Sequence, residues 1–312
     1  MSEKTKGYLL AIIAAATYGM NPLFALPLYA DGMNPDSVLF FRYLFAIPLV
    51  GAMLKTRRGS DFRLQKKDVL PLIVMGILVA LSSLTLFQSY NYMDAGIAST
   101  ILFVYPIMVA LIMALVYKEK VTTQTALCIL MALGGIGMLY QGGDGATLSL
   151  TGTLLVLGSA LSYAIYIVSI NRPALKEMAT LKVTFYILLF GVLLFVVRLY
   201  INGGISLPGQ WWLWGNLLAL AIFPTAISFL CTTSAIQRIG STPTAILGAL
   251  EPLTAIIFGV TVFGERLTAR DCMGIFLIIV AVTVVIAGGS ITHQLVRFRK
   301  MFPRLPLKRV KK

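Results

Sequence analysis

The chain has 312 residues, of which 58% are hydrophobic and only 12% charged, and its mean hydropathy is +0.87. About a quarter of the residues in a soluble domain are charged, so composition excludes a water-soluble globular fold. The formal net charge of +14 would suit a nucleic-acid partner, but the basic residues lie between and after the apolar runs, which excludes that partner and points to a multi-pass membrane protein.

The first apolar run, 7–28, is too long for the core of a cleaved leader and is read as span one. Within it, Asn21-Pro22 and Pro27 interrupt or bend the helix. Span two covers 37–54 and is followed by the basic loop KTRRGSDFRLQKK at 55–67. Spans three, four and five cover 68–90, 96–117 and 123–140, and the loop 141–150 after them has no Lys or Arg. Spans six and seven cover 151–170 and 179–200. Span eight, 211–236, opens with Trp211, Trp212 and Trp214, which read as interfacial anchors. Spans nine and ten cover 241–263 and 270–287, and a basic tail at 289–312 follows. Each span is about the length a helix needs to cross roughly 30 Å of hydrocarbon.

Ten spans place 22 of the 26 Lys and Arg on one side, leaving only Arg42, Arg198, Arg266 and Arg270 toward the other. The positive-inside rule then puts both termini in the cytoplasm, with the tail against anionic lipid headgroups. A shift of 146 residues brings Pro106 onto Pro252, Glu119 onto Glu265, Thr122 onto Thr268 and Gly142-Gly143 onto Gly288-Gly289. Five spans per copy is odd, so the second copy enters the membrane upside down. The expected fold is an all-α membrane protein of ten transmembrane helices in a five-plus-five inverted repeat. Its units are 7–140 and 151–288. Inverted repeats give carriers one conformation open to each side.

Glu251 sits midway through span nine, where an ionised carboxylate is costly unless it is paired, hydrated or protonated. It is either a structural hydrogen-bond acceptor or a group for proton coupling or for contact with a cation. Pro252 beside it should free a backbone carbonyl near Gly248. Asn21 should face the bundle interior, toward substrate or a neighbouring helix. Arg42 can snorkel to the interface or serve an anionic group inside. Gln88, Tyr90, Asn91 and Tyr92 close span three, and Tyr163 and Tyr166 are spaced as partners on adjacent faces of span six. Gly134 and Gly274 read as packing positions. Glu119 and Glu265 read as helix-end residues with basic neighbours that also position their own hairpins. Cys128, Cys231 and Cys272 are dispersed and His293 is the single histidine, so neither a disulfide nor a metal site is expected. No Walker sequence, GxSxG motif or membrane aspartate pair occurs, so no enzyme and no cofactor is expected.

The two copies of YP or EP, helix, E-[KR]-[VL]-T and a GG-terminated helix resemble the EamA repeats of the drug/metabolite transporter superfamily. LEPLTAIIFGVTVFGERLTARD at 250–271 carries the resemblance most closely; SALSYAIYIVSINRPALK at 159–176, TYGMNPLF at 17–24 and FFRYLFA at 40–46 extend it. The resemblance implies a cell inner membrane transporter for small metabolites, some family members exporting amino acids. It also implies a cavity formed chiefly by helices one, three, four, six, eight and nine. Carried over by matching segment, the cavity candidates are Tyr18, Asn21, Tyr90, Tyr105, Tyr163, Ser228 and Glu251. The chain departs from many members in having Tyr18-Gly19 where they carry Trp-Gly. The expected partners are a small-molecule substrate, membrane lipids and, through Glu251, a proton. A translocase for lipid-linked substrates and a non-transporting scaffold or regulatory subunit are the rival classes.

Overall fold

A computed structural model describes residues 2–56, 62–118, 123–140, 149–170, 178–239, 244 and 247–284. Glu119, Thr122, both Gly-Gly pairs and the basic tail, singled out above, lie outside the described residues. The described residues are all helix and connecting turn. In chain order the helices are α1 (Glu3–Gly19), α2 (Asn21–Ala30), α3 (Pro35–Thr56), α4 (Lys66–Ser89), α5 (Ala95–Leu102) and α6 (Tyr105–Tyr117). There follow α7 (Thr123–Tyr140), α8 (Leu150–Ile170), α9 (Thr180–Ile201) and α10 (Leu213–Ala221). A π-helical turn (Ile222–Ile227) joins α10 to α11 (Ser228–Ile239), and α12 (Leu250–Phe263) and α13 (269–284) complete the described chain. Among the described residues seven helices are long and apolar enough to cross a membrane: Glu3–Ala30, Pro35–Thr56, Lys66–Ser89, Ala95–Val116, Leu150–Ser169, Leu181–Ile201 and Leu213–Thr232. Ala126–Leu139 and Leu250–Phe263 are shorter apolar helices. Large apolar side chains such as Leu70, Leu115, Leu130 and Phe276 point outward, as lipid-facing positions do.

Proline sets where three of these helices break. It lacks an N–H and its ring crowds the carbonyl four residues back. α1 accordingly stops at Gly19 ahead of Pro22, α5 stops at Leu102 ahead of Pro106, and α12 starts after a turn at 248–249 ahead of Pro252. The carbonyl that Pro22 strands, that of Tyr18, accepts a hydrogen bond from Asn21 Nδ2 at 2.9 Å. The Gly248 carbonyl, expected to be free, accepts the Glu251 N–H at 2.9 Å. Local turn geometry has therefore already used the group.

One helix in each half of the chain ends in the same left-handed turn. α6 ends with Lys118 at φ 55°, its N–H donating to the Met113 carbonyl; α12 ends with Gly264 at φ 70°, its N–H donating to Gly259. The left-handed turn costs glycine nothing and costs lysine about 1 kcal/mol, yet both halves adopt it. α4 packs on α8 as α11 packs on α1, and α5 and α12 pack on each other. Hydroxyls mark two of these seams: Ser159 Oγ donates to the Ser82 carbonyl at 2.7 Å, and Ser228 Oγ to the Ala14 carbonyl at 2.9 Å.

Close approach of α1 to α12 depends on Gly19, where an added Cβ would lie 2.5 Å from the Glu251 carbonyl oxygen and 2.7 Å from Thr254 Cβ. Of the two glycines read as packing positions, Gly274 meets α7 across Gly135, whereas Gly134 faces open space; a 100° step around the helix separates the two neighbours. All three tryptophans are exposed, and Trp214 also packs edge-on against Phe41 at 5.3 Å.

Candidate functional site

α1, α3, α4, α8 and α9, with the π turn and α11, surround a central cavity lined by Tyr18, Arg42, Tyr43, Ser82, Ser83, Tyr163, Tyr166, Thr184 and Thr225, together with Val79, Ile187, Leu188 and Phe229. The space inside is about 30 Å³, room for about two water molecules and far below the about 300–1,000 Å³ of an open ligand pocket. Its wall mixes phenol and aliphatic hydroxyls with apolar side chains and holds one guanidinium and no carboxylate.

Arg42 does not snorkel. It is 5% exposed, its Nε donates to Thr225 Oγ1 at 3.1 Å, and its guanidinium lies 5.4 Å from the centre of the Phe87 ring. Snorkelling would require the N-terminal end of α3 to be open. Instead α9, α10 and the π turn pack against that helix. The π turn supplies Thr225 in a specific orientation. Pro224 removes one backbone donor from the turn, and the Thr225 hydroxyl donates to the Leu220 carbonyl at 3.0 Å, leaving its lone pairs for Arg42. Single π turns within α-helices often mark functional sites.

Tyr18 stands between Arg42 and Glu251 in the site. It lines the cavity and lies within electrostatic reach of Arg42, Tyr43 and Glu251. Tyr163, also on the wall, meets Tyr105 edge-on at 4.8 Å and Tyr166 at 5.6 Å. Glu251 is half-buried in the neighbourhood of Tyr18, Tyr90, Tyr105 and Tyr163. Five of the seven sequence candidates thus converge: Tyr18 and Tyr163 on the cavity wall, Tyr90, Tyr105 and Glu251 beside them. Tyr90 Oη is buried without a well-formed hydrogen bond, with Ser99 next to it. Asn21 caps the α1 break and keeps its own Oδ1 buried without a partner. Ser228 joins α11 to α1. Neither Asn21 nor Ser228 contributes to the cavity wall. Helices two and seven of the ten-span numbering, α3 and α9, line the cavity in places assigned above to helices four and nine.

The sequence leaves Arg42 undecided and does not single out Tyr43, Ser82, Ser83, Thr184 or Thr225. A signal was present for two of them: Arg42 stands among aromatic residues in FFRYLF, and Pro224-Thr225 interrupts an apolar span at its middle.

A second polar cluster closes the other end of the α5–α12 seam. Glu265 does not pair within its own hairpin. It crosses to the opposite half, where Oε1 accepts the Ala95 N–H at the start of α5 at 3.0 Å, while Oε2 is buried without a partner. Burial, then the neighbouring Asp94, pushes the Glu265 carboxyl from 4.5 up to about 7, against the lowering effect of the Ala95 and Gly96 N–H groups. Asp94 is itself raised, by burial and then by Asp271.

The EamA-like transporter family matches residues 5–141 and again 150–287. The uncharacterized inner membrane transporter YicL of Salmonella typhimurium is 25% identical over 291 residues, covering 91% of this chain and 96% of that protein. The threonine/homoserine exporter RhtA of Escherichia coli is 28% identical over 223 residues, covering 70% of this chain and 72% of that protein. A crystal structure of a protein 18% identical to this one superposes with a TM-score of 0.65, covering 93% of this chain and 99% of that one; at that identity the likeness concerns the fold alone.

Proposed function

Since this chain belongs to the EamA-like transporter family, we propose that it exports an amino-acid-like or related amphiphilic metabolite across the cell inner membrane by alternating access. No covalent chemistry and no cofactor take part. The observation that carries this reading is the central cavity: a buried, mostly phenolic and hydroxylic wall with one cation, between elements of both halves of the chain. With space for about two waters, the cavity is in a closed state, and the halves must part before a solute of amino-acid size can enter.

The ten-span inverted repeat of 7–140 and 151–288, with both termini cytoplasmic, is the architecture we assign to this carrier. It is supported by the twin left-handed helix ends at Lys118 and Gly264 and by the exchanged seams, α4 on α8 and α11 on α1. The likeness to a protein described as a threonine/homoserine exporter supports the export direction. Glu251, half-buried among tyrosines, is the group assigned to proton coupling.

The deciding experiment is counterflow in proteoliposomes against a pooled extract of soluble metabolites. Saturable exchange of a subset of small solutes is expected. None, from protein confirmed as folded, would favour the scaffold class instead. In a variant cleared of native cysteines, labelling of Gly145→Cys and Ile205→Cys from outside, and of Ser60→Cys and Lys300→Cys from inside, checks the orientation. Outer labelling at position 300 would overturn it.

A further inference from the structure

We propose that Arg42 is a carboxylate-binding site, so that the solute this protein carries bears a carboxylate that the guanidinium holds in the central cavity. The inference rests on the transport reading above and names the chemical class of its substrate.

A guanidinium at 5% exposure has left most of its hydration behind, which costs several kcal/mol unless a counter-charge replaces the lost water. Among the described residues Arg42 forms no ion pair with any Asp or Glu, unlike Lys6 with Glu3, Arg198 with Asp36 and Arg238 with Glu3. Glu251 shares the surroundings of Tyr18 but does not pair with Arg42. The contrast with Arg198 is informative. Arg198 grips Asp36 through Nε at 2.6 Å and Nη2 at 3.2 Å. That is how this fold neutralises a structural arginine, and Arg42 has been given no such partner.

What Arg42 has instead is orientation. Thr225 on the π turn holds Nε, and the Phe87 ring lies within cation–π range. The terminal nitrogens are then left to serve the neighbouring Tyr18 and whatever occupies the cavity. A guanidinium fork accepts a carboxylate through two parallel charge-assisted bonds, and one already immobilised loses little freedom in doing so. Tyr43 and Ser83, joined by a 3.0 Å hydrogen bond on the same wall, supply hydroxyls beside it. The wall holds no acid to repel the carboxylate.

The test uses the full-length protein in proteoliposomes with the pooled metabolite extract as the probe, exchanged solutes being identified by mass spectrometry. We expect every solute exchanged at high rate to carry a carboxylate. Arg42→Gln should lower that exchange by about tenfold to a hundredfold, the range for a lost charged hydrogen-bonding partner, and Arg42→Lys should retain an intermediate rate. Thr225→Val keeps the charge and frees Nε; it should raise the half-saturating concentration several-fold with the maximal rate unchanged, and it decides the matter if Arg42→Gln does not fold. Exchange of solutes without a carboxylate, or a folded Arg42→Gln with wild-type exchange, overturns the site while leaving transport intact. Absence of exchange with any solute overturns the transport reading and the site with it.

Discussion

Glu265→Gln should remove a pH dependence of stability that the wild-type protein owes to one seam between its halves. The wild-type carboxyl has its folded-state value pushed from 4.5 to about 7. Below pH 4.5 it is protonated in both folded and unfolded chains. Between about 4.5 and 7 the unfolded chain ionises while the folded one retains its proton, so stability falls as pH rises and is lost above about 7. The difference corresponds to at most about 3.4 kcal/mol, and the partial exposure of Glu265 reduces it to about 1–2 kcal/mol. Gln keeps an acceptor for the Ala95 N–H, does not ionise, and puts no charge next to Asp94. Thermal unfolding of purified protein between pH 5 and 8 should therefore show a wild-type loss of roughly 2–8 °C in Tm, with the Gln variant flatter and more stable at pH 8. The Asp94 carboxyl, raised in the same sense, leaves a residual slope near the acid end in both proteins. A wild-type Tm unchanged from pH 5 to 8, or an equal fall in Glu265→Gln, would refute the reasoning.

Gly19→Val places branched carbon where even a Cβ would sit 2.5 Å from the Glu251 carbonyl oxygen. It should cost about 1–3 kcal/mol, seen as a lower Tm and less monodisperse protein, while Gly158→Ala, with nothing within 4 Å of the new carbon, should leave both unchanged. Arg198→Met strands the buried Asp36 with Asn202 Nδ2 at 3.0 Å as its remaining side-chain donor. We expect a loss of about 3–5 kcal/mol, partly recovered in the Asp36→Asn/Arg198→Met double variant, as unfolding measurements would show. Glu251→Gln should still fold and exchange solute at equal pH on both sides but no longer accumulate it under a pH gradient. A wild-type protein indifferent to the gradient would remove the proton from the mechanism.

Membrane residence was legible from composition alone, because twenty apolar residues in a row have no other stable place to go. The helix breaks at Pro22, Pro106 and Pro252 were equally legible, since proline's missing N–H acts locally and needs no tertiary partner. Spacing alone suggests a repeat, and the left-handed helix ends at Lys118 and Gly264 are alike in the way such a repeat expects.

Residues whose roles depend on what lies across a seam were another matter. Arg42 can reach outward or inward with equal ease along α3, and only the packing of α9, α10 and the π turn against that helix buries it. Glu265 follows Gly264 in a hairpin with Arg266 beside it, yet it bonds Ala95, 170 positions earlier in the chain, because α5 and α12 abut and the first N–H groups of α5 need an acceptor. Tyr18, Tyr90, Tyr105, Tyr163 and Glu251 are spread over more than two hundred positions of sequence. Periodicity states which face of its own helix each occupies. Which faces meet is decided by glycine-scale gaps such as that at Gly19, where a single methyl group sets how near two backbones come.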